Sequence, residues 1–173
     1  LESHIWPVTV DVVRHYRSSG RLLTTLQIVS SILHDIMEDD EKILDQYAKS
    51  YGFDAYFRHR FGDYVYNVAS DLRVIPIEIY QKFEAKDRPH IRFREYTTKL
   101  AHAKYDVKVI KIADRLNNMK FISGLPNNKK IERYIREAED FYIGFTLFPP
   151  VIDEFYFAMR EAYEELKSLK ISV

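Results

Sequence analysis

Apolar residues fall at three- and four-residue intervals along most of the chain, a spacing that predicts helices rather than strands. The clearest case is Leu22, Leu26, Val29, Leu33 and Ile36, which predicts a central helix starting near Leu22 and running to about Asp40, with one stripe facing a core. Ahead of it, Pro7 suits the first turn of a helix reaching about Arg17, with Val8, Val12 and Tyr16 on one face, and Ser18, Ser19 and Gly20 form a break. After it, a third helix is expected over 41–51, stopped by Gly52, and then two short helices over 53–72, interrupted at Gly62.

The segment 74–91 contains Pro76, Pro89 and a mixed charge run, and reads as a loop or a loop carrying a short helix. Further helices are expected over 92–103, 106–122, 127–145 and 151–170, the last two divided by Pro149 and Pro150. In the second of these, Val109, Ile112, Leu116 and Met119 form the apolar stripe. No strand pattern, internal repeat or low-complexity tract interrupts this reading. The expected fold is all-α, a single bundle of about eight helices over residues 1–173.

A chain of 173 residues can build a substantial core, and a 46% apolar, 14% aromatic composition argues against disorder. Lysine plus arginine equals aspartate plus glutamate at 26 each, so no general attraction to nucleic acid polymers or acidic membranes is expected. There is no cysteine, so a metal would have to be held by nitrogen and oxygen. The longest weakly polar run, 143–152, is too short to span a bilayer, and nothing resembles a signal peptide. A soluble cytoplasmic protein is therefore expected; the start at Leu1 rather than methionine implies that further residues precede it, and the oligomeric state has no signature in the sequence.

Candidate chemistry concentrates where the central helix is expected to end, in S-S-I-L-H-D-I-M-E-D-D at 30–40. On a helix His34 and Asp35, with Glu38 and Asp39 a turn later, would crowd one end of one face. Carboxylates there meet the negative end of the helix dipole, an arrangement that a cation would offset. Ordinary punctuation, with Asp39 or Asp40 capping the next helix, accounts for one or two of the acids but not for the His34 and Asp35 pair. H-D-x-x-E-D arises by chance in a chain this long with a probability on the order of one in a thousand.

Asp114, in K-I-A-D-R-L-N-N-M at 111–119, is the second informative acid. Alone it reads as a surface carboxylate, solvated or paired with Lys111 or Arg115, with Asn118 one turn later on the same face. Taken with His4, His34 and Asp35 it completes a set of two imidazoles and two carboxylates, which suits Mn²⁺, with Fe²⁺, Mg²⁺ and Zn²⁺ as alternatives. His15, His59, His90 and His102 read as surface or half-buried side chains. Lys104, Lys108 and Lys111 share a helix face that either meets phosphate or is solvated.

The order H…HD…D resembles the HD-domain metal-dependent phosphohydrolases, and more closely the hydrolase domain of RelA/SpoT-type (p)ppGpp hydrolases and their small stand-alone homologues. The resemblance rests on H-I-W-P-V at 4–8, L-H-D-I-M-E-D at 33–39 and K-I-A-D-R-L-N-N-M at 111–119, with weaker echoes in F-G-D-Y-V at 61–65 and R-E-A-E-D-F-Y at 136–142. It implies a helical HD domain in which His4, His34, Asp35 and Asp114 hold Mn²⁺. It further implies that Glu38 and Asp39 form the catalytic acidic pair and that Asn118 contacts the nucleotide, with Lys111 and Arg115 as further substrate-binding candidates. The implied reaction removes the 3′-pyrophosphate of (p)ppGpp or a related nucleotide. Two departures stand out: Ile5 follows the first histidine where the family has proline, and Lys120 and Phe121 stand where it has arginine and a base-facing threonine. Another HD-type nucleotidase and a non-catalytic nucleotide-binding module are the competing expectations.

Overall fold

The computed structural model describes residues 2–39, 52–124, 128–147 and 153–171, which include helices throughout and no strand. The helices are α1 (Glu2–Ser18), α2 (Thr25–Ile32), α3 (Ile36–Asp39), α4 (Phe53–Leu72), α5 (Arg88–His102), α6 (Tyr105–Ser123), α7 (Asn128–Glu137), α8 (Ile143–Phe145) and α9 (Asp153–Ile171). The all-α expectation holds, while the helix expected over 41–51 lies outside the described residues. Among the described residues no helix is long and apolar enough to cross a membrane. By its contacts the chain divides into two compact units, residues 1–23 with 109–173, and residues 24–108.

In the first unit α1 buries the expected stripe of Val8, Val12 and Tyr16. It begins five residues before Pro7 rather than at it, so His4 is part of the helix. The portion of α6 from Val109 onward buries Ile110 and Ala113 as well as the expected Val109, Ile112, Leu116 and Met119. A helix buried on so many faces has little room for an unpaired polar group, which matters for Asp114 below. The expected helix over 127–145 is present as α7 and α8 joined by a π-helical turn, Ala138–Tyr142. Tyr142 on that turn is fully buried, and α9 contributes Phe155, Met159, Ala162, Tyr163 and Leu166 to the core.

In the second unit the central helix differs from its expectation at both ends. It starts at Thr25 because Thr24 and Gln27 form a capping box: the Leu26 N–H donates to Thr24 Oγ1 and the Thr24 N–H to Gln27 Oε1. Leu22 therefore precedes the helix and is 82% exposed, outside the stripe assigned to it. At the other end the helix breaks at Leu33–Asp35 before α3 resumes. The cause is local: in a continuing helix the Ser31 carbonyl would accept from the Asp35 N–H, but it accepts from His34 Nδ1 instead, at 2.7 Å.

The apolar residues of this region still pack as their spacing implied. Met37 joins Phe53, Phe57, Val65 and Ala69 in one cluster, with Val29, Leu33 and Ile36 against it. The expected interruption of α4 is a kink at Gly62, whose φ of 83° is open to glycine and strained for other residues. The 74–91 segment contains a single 3₁₀ turn, Ile77–Tyr80, and α5 starts at Arg88 with Pro89 in its first turn. Tyr80 is buried and donates to Glu95 at 2.6 Å. Burial and that carboxylate push its hydroxyl pKa up to about 12, so it remains a donor at any ordinary pH.

Candidate metal centre

His34 lies on the turn between α2 and α3 and is 2% exposed. A carbonyl can only accept, so the 2.7 Å contact with the Ser31 carbonyl makes Nδ1 the protonated nitrogen. In the neutral ring Nε2 then carries a lone pair, and it sits 3.1 Å from Asp35 Oδ2. Two electron-rich atoms at that distance repel each other unless a proton or a metal cation attends them. A backbone carbonyl holding one nitrogen so that the other can ligate is the usual outer support of a metal-bound histidine.

Asp114 sits in the middle of α6 and is 3% exposed. Its Oδ1 is 3.0 Å from His4 Nε2 and accepts from Asn118 Nδ2 at 2.6 Å, while its Oδ2 accepts from Lys111 Nζ at 2.7 Å. The expected reading of Asp114 as a surface carboxylate fails because its helix is buried at this level; the pairing with Lys111 is correct. Asn117 Nδ2 donates to Asp11 Oδ2 at 2.9 Å and so ties α6 to α1 one turn and more beyond His4. That tie is a positioning contact which periodicity did not reveal, since a lone Asp on one helix and a lone Asn on another share no spacing.

Each unit pairs one imidazole nitrogen with one carboxylate oxygen: His4 with Asp114 at 3.0 Å in the first, and His34 with Asp35 at 3.1 Å in the second. Two imidazole nitrogens and two carboxylate oxygens fit a borderline or hard divalent ion. Glu38 and Asp39 close α3, and their side chains lie outside the described residues.

The other candidate contacts divide. Asn118 is engaged by Asp114, and Lys111 is buried in its ion pair with the same carboxylate. Arg115 turns elsewhere: its Nη1 is 2.7 Å from Glu137 Oε2, off hydrogen-bond geometry, and its Nη2 donates to Tyr142 Oη at 3.2 Å. The guanidinium also lies 4.5 Å and 4.2 Å from the ring centres of Tyr134 and Tyr142, a cation–π arrangement. Lys104 is exposed, and Lys108 donates to the Ala101 carbonyl at 2.7 Å, near the C-terminus of α5.

Of the histidines set aside as surface or half-buried, His59, His90 and His102 are exposed, but His15 is buried. It stacks on Phe155 at 5.2 Å, and burial lowers its pKa against the pull of Glu154. Its charged neighbours in the sequence concealed an inward-facing position next to Tyr16.

No protein-family model matches the chain, and no curated protein does.

Proposed function

We propose that this chain is an HD-type, metal-dependent phosphohydrolase that removes the 3′-pyrophosphate of (p)ppGpp or a related nucleotide, acting in the cytoplasm on a small nucleotide rather than a nucleic acid polymer. The observation that supports it is the pairing of an imidazole nitrogen with a carboxylate oxygen within each unit, His34 with Asp35 at 3.1 Å and His4 with Asp114 at 3.0 Å. Those four residues would hold the ion, Mn²⁺ by preference, with Fe²⁺, Mg²⁺ or Zn²⁺ as alternatives. When bound, such an ion makes water acidic near neutral pH and offsets phosphate charge.

The protein's own groups take the remaining tasks in this proposal. Ser31 holds the His34 tautomer through its carbonyl, and Asn118 holds the Asp114 carboxylate. Glu38 and Asp39 orient a water and accept its proton as its oxygen bonds to the phosphorus at the ribose 3′ oxygen. The 3′ oxygen leaves with a proton, and pyrophosphate is released. Lys111 keeps Asp114 ionised, as a ligand must be. The same ion pair favours a second reading, in which Lys111 replaces a cation and the fold serves as a non-catalytic nucleotide-binding module.

The two readings separate in one experiment. Elemental analysis of the purified protein and of His34→Ala and Asp35→Ala is combined with an assay of phosphate and pyrophosphate release from a nucleotide panel in Mn²⁺. One ion per chain, lost in both variants, with pyrophosphate released from 3′-pyrophosphorylated nucleotides, is the expected result. Equal metal in all three proteins would reject the centre, and release from simple nucleotides alone would redirect the proposal to another HD-type nucleotidase. Metal without turnover on any nucleotide would leave the binding module.

A further inference from the structure

Asp114 and Arg115 are neighbours on α6, so their side chains leave the helix about 100° apart. Asp114 meets His4 at 3.0 Å. Arg115 is gripped in another direction by residues of one short stretch. Its Nη1 lies 2.7 Å from Glu137 Oε2, and its Nη2 donates to Tyr142 Oη at 3.2 Å. Its guanidinium lies 4.5 Å and 4.2 Å from the ring centres of Tyr134 and Tyr142. The Arg115 and Glu137 side chains are only 12% and 17% exposed. A planar cation set against two rings, with a carboxylate and a phenol at its nitrogens, has little freedom to swing.

This grip depends on an irregularity in the chain. Glu137 and Tyr142 are five residues apart, a separation that puts side chains about 140° apart around an α-helix. Between them lies the π turn Ala138–Tyr142, closed by the Ile143 N–H donating to the Ala138 carbonyl. A turn closed over five residues returns the fifth side chain toward the side taken by the first, and both reach one guanidinium. Such turns are rare and recur at functional sites. This one is also pinned to α9, where Tyr163 Oη donates to Glu139 Oε1 at 2.5 Å. Apolar burial is non-directional, so the stripe of Val109, Ile112, Leu116 and Met119 keeps α6 in the core without fixing its rotation sharply. A charge-assisted contact does fix it, because it weakens as its geometry is lost.

We infer that Arg115 is a positioning residue of the metal centre: gripped by Glu137, Tyr134 and Tyr142 across the π turn, it fixes the rotation of α6 and so holds Asp114 Oδ1 where it meets His4 Nε2. The inference rests on the proposed metal centre and deepens it. Arg115 acts through Asp114 and touches neither the ion nor the substrate.

The test compares wild type with Arg115→Lys, Tyr142→Phe and Tyr163→Phe. Lysine keeps a cation for Glu137 but has no planar fork. Tyr142→Phe keeps the ring and removes only the acceptor, while Tyr163→Phe loosens the π turn from α9 and leaves the grip on Arg115 intact. Three quantities are read for each protein: Kd for Mn²⁺ by competition with a chelator, the absorption bands of the Co²⁺-loaded protein, and urea unfolding of the metal-free protein. Loss of support behind a ligand weakens metal binding by about 10- to 100-fold. Arg115→Lys should raise Kd about tenfold and alter the Co²⁺ bands, and Tyr142→Phe should move both in the same direction by less. Tyr163→Phe should lose stability with Kd and bands unchanged. If Arg115→Lys does not fold, Tyr142→Phe decides by the same two readouts. Unchanged Kd and bands in both clamp variants of a metal-binding protein would overturn the positioning role and keep the centre. An equal change in Tyr163→Phe would also overturn it, by tracing the effect to general stability. No metal uptake by wild type would end the centre and the positioning role together.

Discussion

Asp106 and Asp114 lie on the same helix eight residues apart and meet opposite surroundings. Asp106 is in the first turn, where the dipole favours an acid, and is half-buried. Tyr64 donates its hydroxyl to it and Gln27 Nε2 donates at 3.2 Å; burial, and then the bond to Asp106, raise the Tyr64 pKa. These partners are neutral, and the carboxylate serves as a structural acceptor beside the capped start of α2. Asp114 is mid-helix, beyond the help of either dipole end, and is buried against a lysine, an asparagine and a histidine. The contrast teaches that a helical carboxylate becomes a candidate ligand when burial forces its charge to be met by cations or ligating nitrogens, and remains a strut when neutral hydroxyls and amides suffice.

The sharpest way to break that comparison is to neutralise each acid in turn. Asp114→Asn should abolish metal uptake and lower kcat by at least about 10²-fold, whereas Asp106→Asn should keep the metal and most of the turnover. Metal analysis and steady-state kinetics on both variants check this, and equal losses would erase the distinction. Glu38→Gln should retain metal and nucleotide affinity while kcat falls by about 10²- to 10⁴-fold if the acidic pair acts on water and its proton. Unchanged turnover in that variant would remove Glu38 from the mechanism.

Stability should follow the same division with smaller numbers. In metal-free protein Asp114→Asn leaves the Lys111 charge buried without its partner carboxylate, at a cost of about 3 kcal/mol. Asp106→Asn retains a neutral acceptor and should cost about 1 kcal/mol. Urea unfolding of the two variants measures the difference. Asn118→Ala sharpens the comparison at the level of support: loss of its 2.6 Å bond to Asp114 should weaken metal binding about tenfold, read by titration against a chelator.

The smallest effect concerns a buried group farther along α1, outside the candidate metal ligands. His15 has a lowered pKa, chiefly from burial, with Glu154 opposing and Arg21 assisting the shift. The unfolded chain therefore binds a proton more readily than the folded one as pH falls through about 6.5. Stability is at its full value above that pH, declines below it and levels off once the folded ring is protonated as well. Thermal melts between pH 8 and 5 should show this loss, and His15→Gln should flatten it; an unchanged pH profile would mean that His15 does not contribute.

Much of the architecture could be read from periodicity, because a helix stripe is a local property. Val8, Val12 and Tyr16, or Val109, Ile112, Leu116 and Met119, needed no partner to be recognised as inward-facing. The interruption at Gly62 was equally legible, since one glycine's freedom decides it. The types and order of His4, His34, Asp35 and Asp114 were also present in the chain as a set of nitrogen and oxygen donors with no cysteine among them. Three things were decided only in three dimensions. Whether Asp114 is solvated or buried depends on what covers α6, and Arg115, its neighbour in sequence, was drawn instead to Glu137, Tyr134 and Tyr142. The His15 ring turned inward against Phe155, a residue far along the chain. The central helix broke at Leu33–Asp35 because the His34 side chain competes for the Ser31 carbonyl, a choice of rotamer that apolar spacing does not encode. Spacing along a chain specifies which face a residue takes, but burial, tautomer and charge partner depend on atoms supplied by distant segments.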